Sequence, residues 1–135
     1  MTFASATQVN AIVPYEIVGQ TRSDVVVEYQ STKSTATAVT IATAAPGVFT
    51  FNSTGTGQAV AANQDYTFNG TASKAAAGST VVVYFTGGGV LTPPGSTGSV
   101  TGAVLKHLSQ SIAVTVGGKP ATVRLPERLP RWLMA

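Results

Sequence analysis

The stretch 35–51, TATAVTIATAAPGVFTF, limits the fold more than any other part of the chain. Val39 and Ile41 fall on one face of an extended run, and Pro46-Gly47 separates it from a second short strand, Val48 to Phe51. Proline fixes φ and removes a ladder donor, and the glycine after it tolerates the bend. The chain changes direction here while staying extended, as a strand does when it crosses between the two sheets of a sandwich.

The flanking segments repeat this extended pattern. Gln8 to Val13 alternates and stops at Pro14, which suits a first or edge strand. From Asp24 to Gln30, Val25, Val27 and Tyr29 point one way and Asp24, Glu28 and Gln30 the other. Ser31 to Ser34 is expected to turn this strand back into the central stretch as a hairpin. Asn52 to Gly57 reads as a polar loop, Gln58 to Ala62 as a short strand and Asn63-Gln64-Asp65 as a turn. Ser73 to Ala77 is the best candidate for a helical turn, ended by Gly78. Ser79 to Thr86 is apolar on both faces, which predicts a central strand covered on both sides. Gly87 to Gly102, with six glycines and two prolines, reads as a long exposed loop. Ser111 to Val116 is a strand, and Gly117-Gly118 fits a two-residue turn into Lys119 to Val123.

Length and composition agree with this reading. At 135 residues the chain suits one domain. β-Branched residues between glycines, with few Leu, Glu or Lys at helical spacing, indicate an all-β protein. Without cysteine there are no disulfides and no cysteine metal sites. No apolar run approaches the ~18 residues of a membrane span. The first ten residues have neither a basic nor an apolar signal region, so the chain is expected to be either cytosolic or a piece of a longer secreted protein. The formal charge of +3 sits mostly in the last twelve residues, through Arg124, Arg128 and Arg131 against Glu127. No basic face for nucleic acid follows.

The blocks QVNAIVPYEI, AAPGVFTFNSTGTGQAVAANQD, AAAGSTVVVYFTGGGVLTPP and VTVGGKPATV, in that order, resemble one family. It is the uncharacterised C-terminal domain family found repeatedly in large secreted proteins of acidobacteria (Solibacter-type), and the resemblance covers about residues 5–123. The last two blocks also resemble an IPT/TIG-type immunoglobulin-like module. The resemblance implies an extracellular or surface β-sandwich at the end of a longer chain, with no enzymatic activity.

The chain departs from that pattern at its end. After VGGKPATV the family continues with an aromatic-AGAAP-type loop and a last strand, whereas this chain reads RLPERLPRWLMA. Read one base back, codons compatible with LPERLPRWLMA encode FAGAAPEVVDG, the continuation that the family has. Residues from about Arg124 are therefore expected to arise from a frameshift, with the last strand missing; the alternative is a genuine basic tail. A missing strand leaves a sheet edge unpaired, so self-association through that edge is expected.

Few residues carry chemistry. His107 is the only histidine; as a catalytic base it needs Asp24 or Asp65 and a serine, and no nucleophile elbow is present. A solvated surface histidine is the plainer reading. Gly87-Gly88-Gly89 follows a strand but lacks the lysine and the helix of a phosphate loop, and Gly55-Thr56-Gly57 fails likewise. One histidine and no cysteine nearly exclude zinc, and Asp65 among amides falls short of a calcium loop. Tyr15, Tyr66 and Phe68, in or beside irregular segments, are candidate ligand-contact aromatics, against the simpler reading that they fill the core.

The sequence thus predicts an immunoglobulin-like β-sandwich of about seven to nine short strands over residues 1–123, followed by an atypical basic tail, 124–135. The expected role is a non-catalytic structural or adhesive module of an extracellular or cell-surface protein, without cofactor or metal. Its expected partners are neighbouring domains or another protein. A carbohydrate-binding module is the alternative, and a hydrolase a weaker one.

Overall fold

The computed structural model describes residues 2–100, 102 and 104–124. The tail expected from residues 124–135 lies, apart from Arg124, outside the described residues. The described chain is all-β, made of short antiparallel two-stranded sheets with a single 3₁₀ turn at Tyr15–Ile17. In chain order the strands are β1 (Phe3–Ala4), β2 (Val9–Asn10), β3 (Arg22–Val25), β4 (Glu28–Tyr29), β5 (Thr32–Lys33), β6 (Thr37–Thr40) and β7 (Gly47–Val48). They continue as β8 (Ala61–Ala62), β9 (Val82–Val83), β10 (Phe85–Thr86), β11 (Leu91–Thr92), β12 (His107–Leu108), β13 (Val114–Val116) and β14 (Lys119–Ala121). Two compact units result, Met1–Thr43 with Val90–Ala135, and Ala44–Gly89. β6 belongs to the first and β7 to the second; the chain passes between them at Thr43–Ala44, and the Pro46-Gly47 bend falls just inside the second unit.

In the first unit, β3 to β6 form one long hairpin whose turn differs from the expected one. Gln30 and Ser31, with φ of 48° and 63°, make the two-residue turn, and Thr32–Lys33 is already strand. Positive φ at both turn positions matches the right-handed twist of the arms, although neither residue is glycine or asparagine. The arms pair Tyr29 with Thr32 and Glu28 with Lys33, and further out Val25 with Thr37. Two residues separate these pairs on the first arm and three on the second, so the extra residue is a β-bulge. The Val27 N–H donates to Ser34 Oγ at 3.0 Å, the hydroxyl standing in for a carbonyl, while the Ser34 N–H donates to the Val27 carbonyl at 2.9 Å. The bulge is why the predicted alternation over 24–30 breaks into two strands.

Elsewhere in this unit, β13 and β14 join through Gly117 and Gly118, both at positive φ, the turn that the sequence predicts. The glycine-rich stretch 87–102 is not wholly loop, because β11 pairs with β12. Tyr15–Ile17 docks on the same stretch. The Tyr15 N–H donates to Thr97 Oγ1 at 2.9 Å, and the Thr97 hydroxyl donates to Glu16 Oε2 at 2.7 Å. A side chain at Gly95 would collide with the Tyr15 ring, so glycine there lets the ring lie against the backbone.

The second unit is built on three backbone hydrogen bonds that close a ring. The Phe49 N–H donates to the Tyr84 carbonyl at 3.0 Å, Tyr84 to Val60 at 3.3 Å, and Val60 to Phe49 at 2.7 Å. All three pairings are antiparallel. Three straight strands cannot all be mutually antiparallel, so each changes partner at its ring residue and three two-stranded arms diverge. One arm carries the Thr50–Ala59 bridge, one is β8 with β9, and one is β7 with β10. At the base of the last arm the Ala45 N–H donates to the Gly87 carbonyl at 2.9 Å. Gly87 has φ of 73°, and a side chain there would collide with the Ala45 carbonyl, so this glycine closes the neck of the unit.

The ring overturns the expectation of a doubly covered strand at Ser79 to Thr86. That segment is cut at Tyr84 into β9 and β10, and Val81, Val82 and Val83 remain exposed. Thr50, Ala61, Ala62 and Asn63 are the buried residues of the described chain. The helical turn expected at Ser73 to Ala77 is also absent. The Ser73 carbonyl, which would accept the first helical bond, already accepts from the Gly70 N–H at 3.0 Å and from Asn63 Nδ2 at 3.0 Å.

The turn geometry leads to a direct test. Non-glycine residues in the left-handed region cost about 1–2 kcal/mol each, and Asn-Gly relieves that cost. The double substitution Q30N/S31G should stabilise the β3–β6 hairpin by about 1–2 kcal/mol. Hydrogen exchange at the Ser34 amide, which reports the hairpin, should slow by a factor of about ten.

Candidate functional site

The most organised surface lies where the β8–β9 arm meets the loop after it. Asn63 is only 6 % exposed, and each of its polar groups is used. Its amide nitrogen donates to Thr67 Oγ1 at 3.1 Å and to the carbonyl and hydroxyl of Ser73 at 3.0 and 3.2 Å. Its side-chain oxygen accepts from Asn69 Nδ2 at 2.9 Å, and its carbonyl accepts from the Tyr66 N–H at 2.9 Å. A buried amide with all its partners holds a loop in one conformation, because any other would strand those groups away from water. The turn predicted at 63–65 is thus the anchored start of a loop that runs to Ser73.

This anchoring positions Phe68. Its backbone bridges to Ala62, and the Asn69 N–H donates to the Ala61 carbonyl at 2.8 Å. The Phe68 ring meets Phe51, on the neighbouring arm, edge to face, with centroids 5.6 Å apart and planes at 81°. That is a favoured aromatic geometry. Gln58 Nε2 donates to the carbonyls of Ala59 and Asn69 and ties the two arms across the rings. Phe51, Gln58, Phe68, Asn69 and Thr71 line an open concavity of about 370 Å³. Chemically it is two exposed rings bordered by amides and a hydroxyl, suited to contact with an amphipathic ligand and holding no acid–base pair.

The three aromatics singled out in the sequence have different surroundings. Phe68 lies in this concavity. Tyr66 is 72 % exposed, at a positive φ of 67° beside the anchored turn. Tyr15, half-buried, belongs to the first unit and lies against Gly95. Sequence reading missed Phe51 as the ring partner and Asn63 as the anchor; no periodicity marks either, since both depend on contacts made across the loop. A second open hollow, of about 500 Å³, lies beside the exposed Tyr29 ring at the end of the β4–β5 hairpin.

The titratable groups considered for chemistry are dispersed. His107 lies exposed on β12 opposite Thr92, and among the described residues of its own unit no serine hydroxyl or carboxylate hydrogen-bonds to it. Asp24 pairs with Arg22 at 3.6 Å, and Asp65 accepts from the hydroxyl and the N–H of Thr67 at 2.7 and 3.0 Å. The Thr67 hydroxyl, and then its N–H, hold the Asp65 carboxyl below its ordinary value of 3.8. The Thr97 hydroxyl lowers Glu16 in the same way. Among the described residues no group of three His, Cys, Asp or Glu side chains is placed to hold a metal ion.

Compared with family models, curated proteins and solved structures, the chain matches none of them.

Two outcomes follow from this geometry. Asn63→Asp keeps the shape but turns the donor that Thr67 and Ser73 use into an acceptor, so it should cost about 1–3 kcal/mol, read by urea unfolding. Asp65 is more acidic folded than unfolded, so its support of the loop is complete above 3.8 and disappears as pH falls through its lowered folded value. NMR should show the Thr67 amide shift titrating below pH 3.8, and D65N should abolish that titration.

Proposed function

We propose that this chain is a non-catalytic structural or adhesive module of a secreted or cell-surface bacterial protein, of the acidobacterial type that its sequence resembles. The observation that carries the reading is the exposure of the valines on and beside its two-stranded sheets, among them Val25, Val82 and Val83 on strands and Val26, Val27 and Val81 next to them. Apolar strand faces contribute to stability when another layer covers them. In this reading neighbouring domains of a longer chain supply that layer.

A second reading, carbohydrate binding, is favoured by one feature. Phe51 and Phe68 are exposed and bordered by the amides of Gln58 and Asn69, the mixture of apolar ring and hydrogen-bonding edge that a sugar requires. Tyr66, in the same unit, would then be a peripheral contact.

Hydrogen exchange separates the readings. In a longer parent chain the Val82 and Val83 amides should exchange at least tenfold more slowly than in this chain alone. Equal rates, or hydrolysis of any substrate by the isolated chain, would overturn the module reading. Titration with soluble oligosaccharides should leave the Phe68 and Asn69 amide shifts unchanged; saturable shifts there, lost in F68A, would establish the second reading instead.

A further inference from the structure

The β13–β14 hairpin has one open edge and one closed edge, and the difference lies in its register. Gly117 and Gly118, with φ of 58° and 77°, form a two-residue turn, so Val116 and Lys119 are the hydrogen-bonded pair that flanks it. Alternation along the ladder makes the next pair, Thr115 with Pro120, a non-hydrogen-bonded one. Backbone groups at such a pair point away from the hairpin. Proline tolerates the position because no N–H is needed inside the hairpin, and for the same reason it offers none outside. The outer edge of β14 is therefore blunted at Pro120. The outer edge of β13 presents the N–H and carbonyl of Thr115, and among the described residues no third strand pairs with it.

That edge also lacks the usual protection. Residues 111–116, SIAVTV, carry no charge, glycine or proline and are rich in β-branched side chains, the composition that favours strand addition. Val114 and Val116, on one face, are 38 % and 70 % exposed. The β3–β6 hairpin, by contrast, carries the charge pairs Arg22–Asp24 and Glu28–Lys33 along its arms.

We propose that the outer edge of β13 pairs with the same edge of a second copy of this chain. The edge is self-complementary. With a two-fold axis at Thr115, the two strands run antiparallel, each Thr115 N–H donates to the Thr115 carbonyl of the other copy, and Val114 faces Val116 of the other copy. The product is a four-stranded sheet with β14 on both outer edges. Because Pro120 blunts both, the assembly closes at two chains instead of extending into a fibre. The proposal does not depend on the role assigned above, since it rests on edge geometry alone.

Light scattering coupled to size exclusion, from low micromolar to millimolar chain, tests it. The native chain should pass from one to two chains per particle and no further. Thr115→Pro removes the outward donor while leaving the hairpin's own bonds, and should weaken dimerisation at least tenfold. Pro120→Thr opens the second edge and should give particles larger than dimers. Thr115→Lys and Thr115→Glu place like charges opposite each other in their own dimers, so each alone should associate weakly and an equimolar mixture should dimerise. The mixture keeps the test decisive should the proline variant not fold. A native chain monomeric throughout, a T115P chain that dimerises as the native one does, or a mixture no better than its components would overturn the proposal. So would a T115P chain that loses stability while the native chain stays monomeric, which would assign the edge to residues of the same chain beyond Arg124.

Discussion

The hydrogen-bonded ring of Phe49, Val60 and Tyr84 is the constraint on which the second unit depends. Each residue uses its N–H toward one neighbour and its carbonyl toward the other. The three antiparallel pairings cannot be reconciled in one flat sheet, so the strands diverge into arms at these residues. Each arm is then only two strands wide and a few residues long. The small side chains of Ala61 and Ala62 lie buried beside the ring, where larger ones would push the segments apart. The neck at Ala45 and Gly87 closes the unit by the same logic, a backbone contact that a side chain would prevent.

Polar groups carry much of the organisation that apolar burial provides in larger cores. Asn63 gathers Thr67, Asn69 and Ser73 and thereby fixes where Phe68 stands against Phe51. Thr97 does a similar task between the Tyr15 backbone and Glu16, and Ser34 fills a place in the ladder that a carbonyl would take. Networks of this kind specify conformation sharply but contribute modest net stability, since water competes for the same bonds. The exposed valine faces then have a clear physical meaning: the hydrophobic term is available and is realised when another surface covers them.

Much of the strand content was legible because alternation and turn chemistry are local. The Gly117-Gly118 hairpin is where the sequence places it, since two adjacent glycines leave few other turns open. The β3–β6 hairpin is also readable, but its turn is displaced to Gln30-Ser31, a pair that carries no local signal for positive φ. Ser73 to Ala77 has helical composition and no helix, because Asn63 and Gly70 use the Ser73 carbonyl first. Of the candidate site, Phe68 and Tyr66 could be named from their irregular setting, whereas Phe51 and Asn63 could not.

By itself the sequence determined the all-β character, the places where the chain must bend, and the scarcity of groups that could do chemistry, all of which follow from residue type and short-range pattern. Only the tertiary structure decided which strands pair, where a strand changes partner, and which faces stay open. An apolar strand such as VVVYF reads the same whether two neighbours cover it or one. Its burial depends on backbone bonds to segments more than twenty residues away, here those of Phe49 and Val60 to Tyr84. For the same reason the sequence shows a proline in β14, but only the register shows that it blunts the outer edge of β14 and not that of β13.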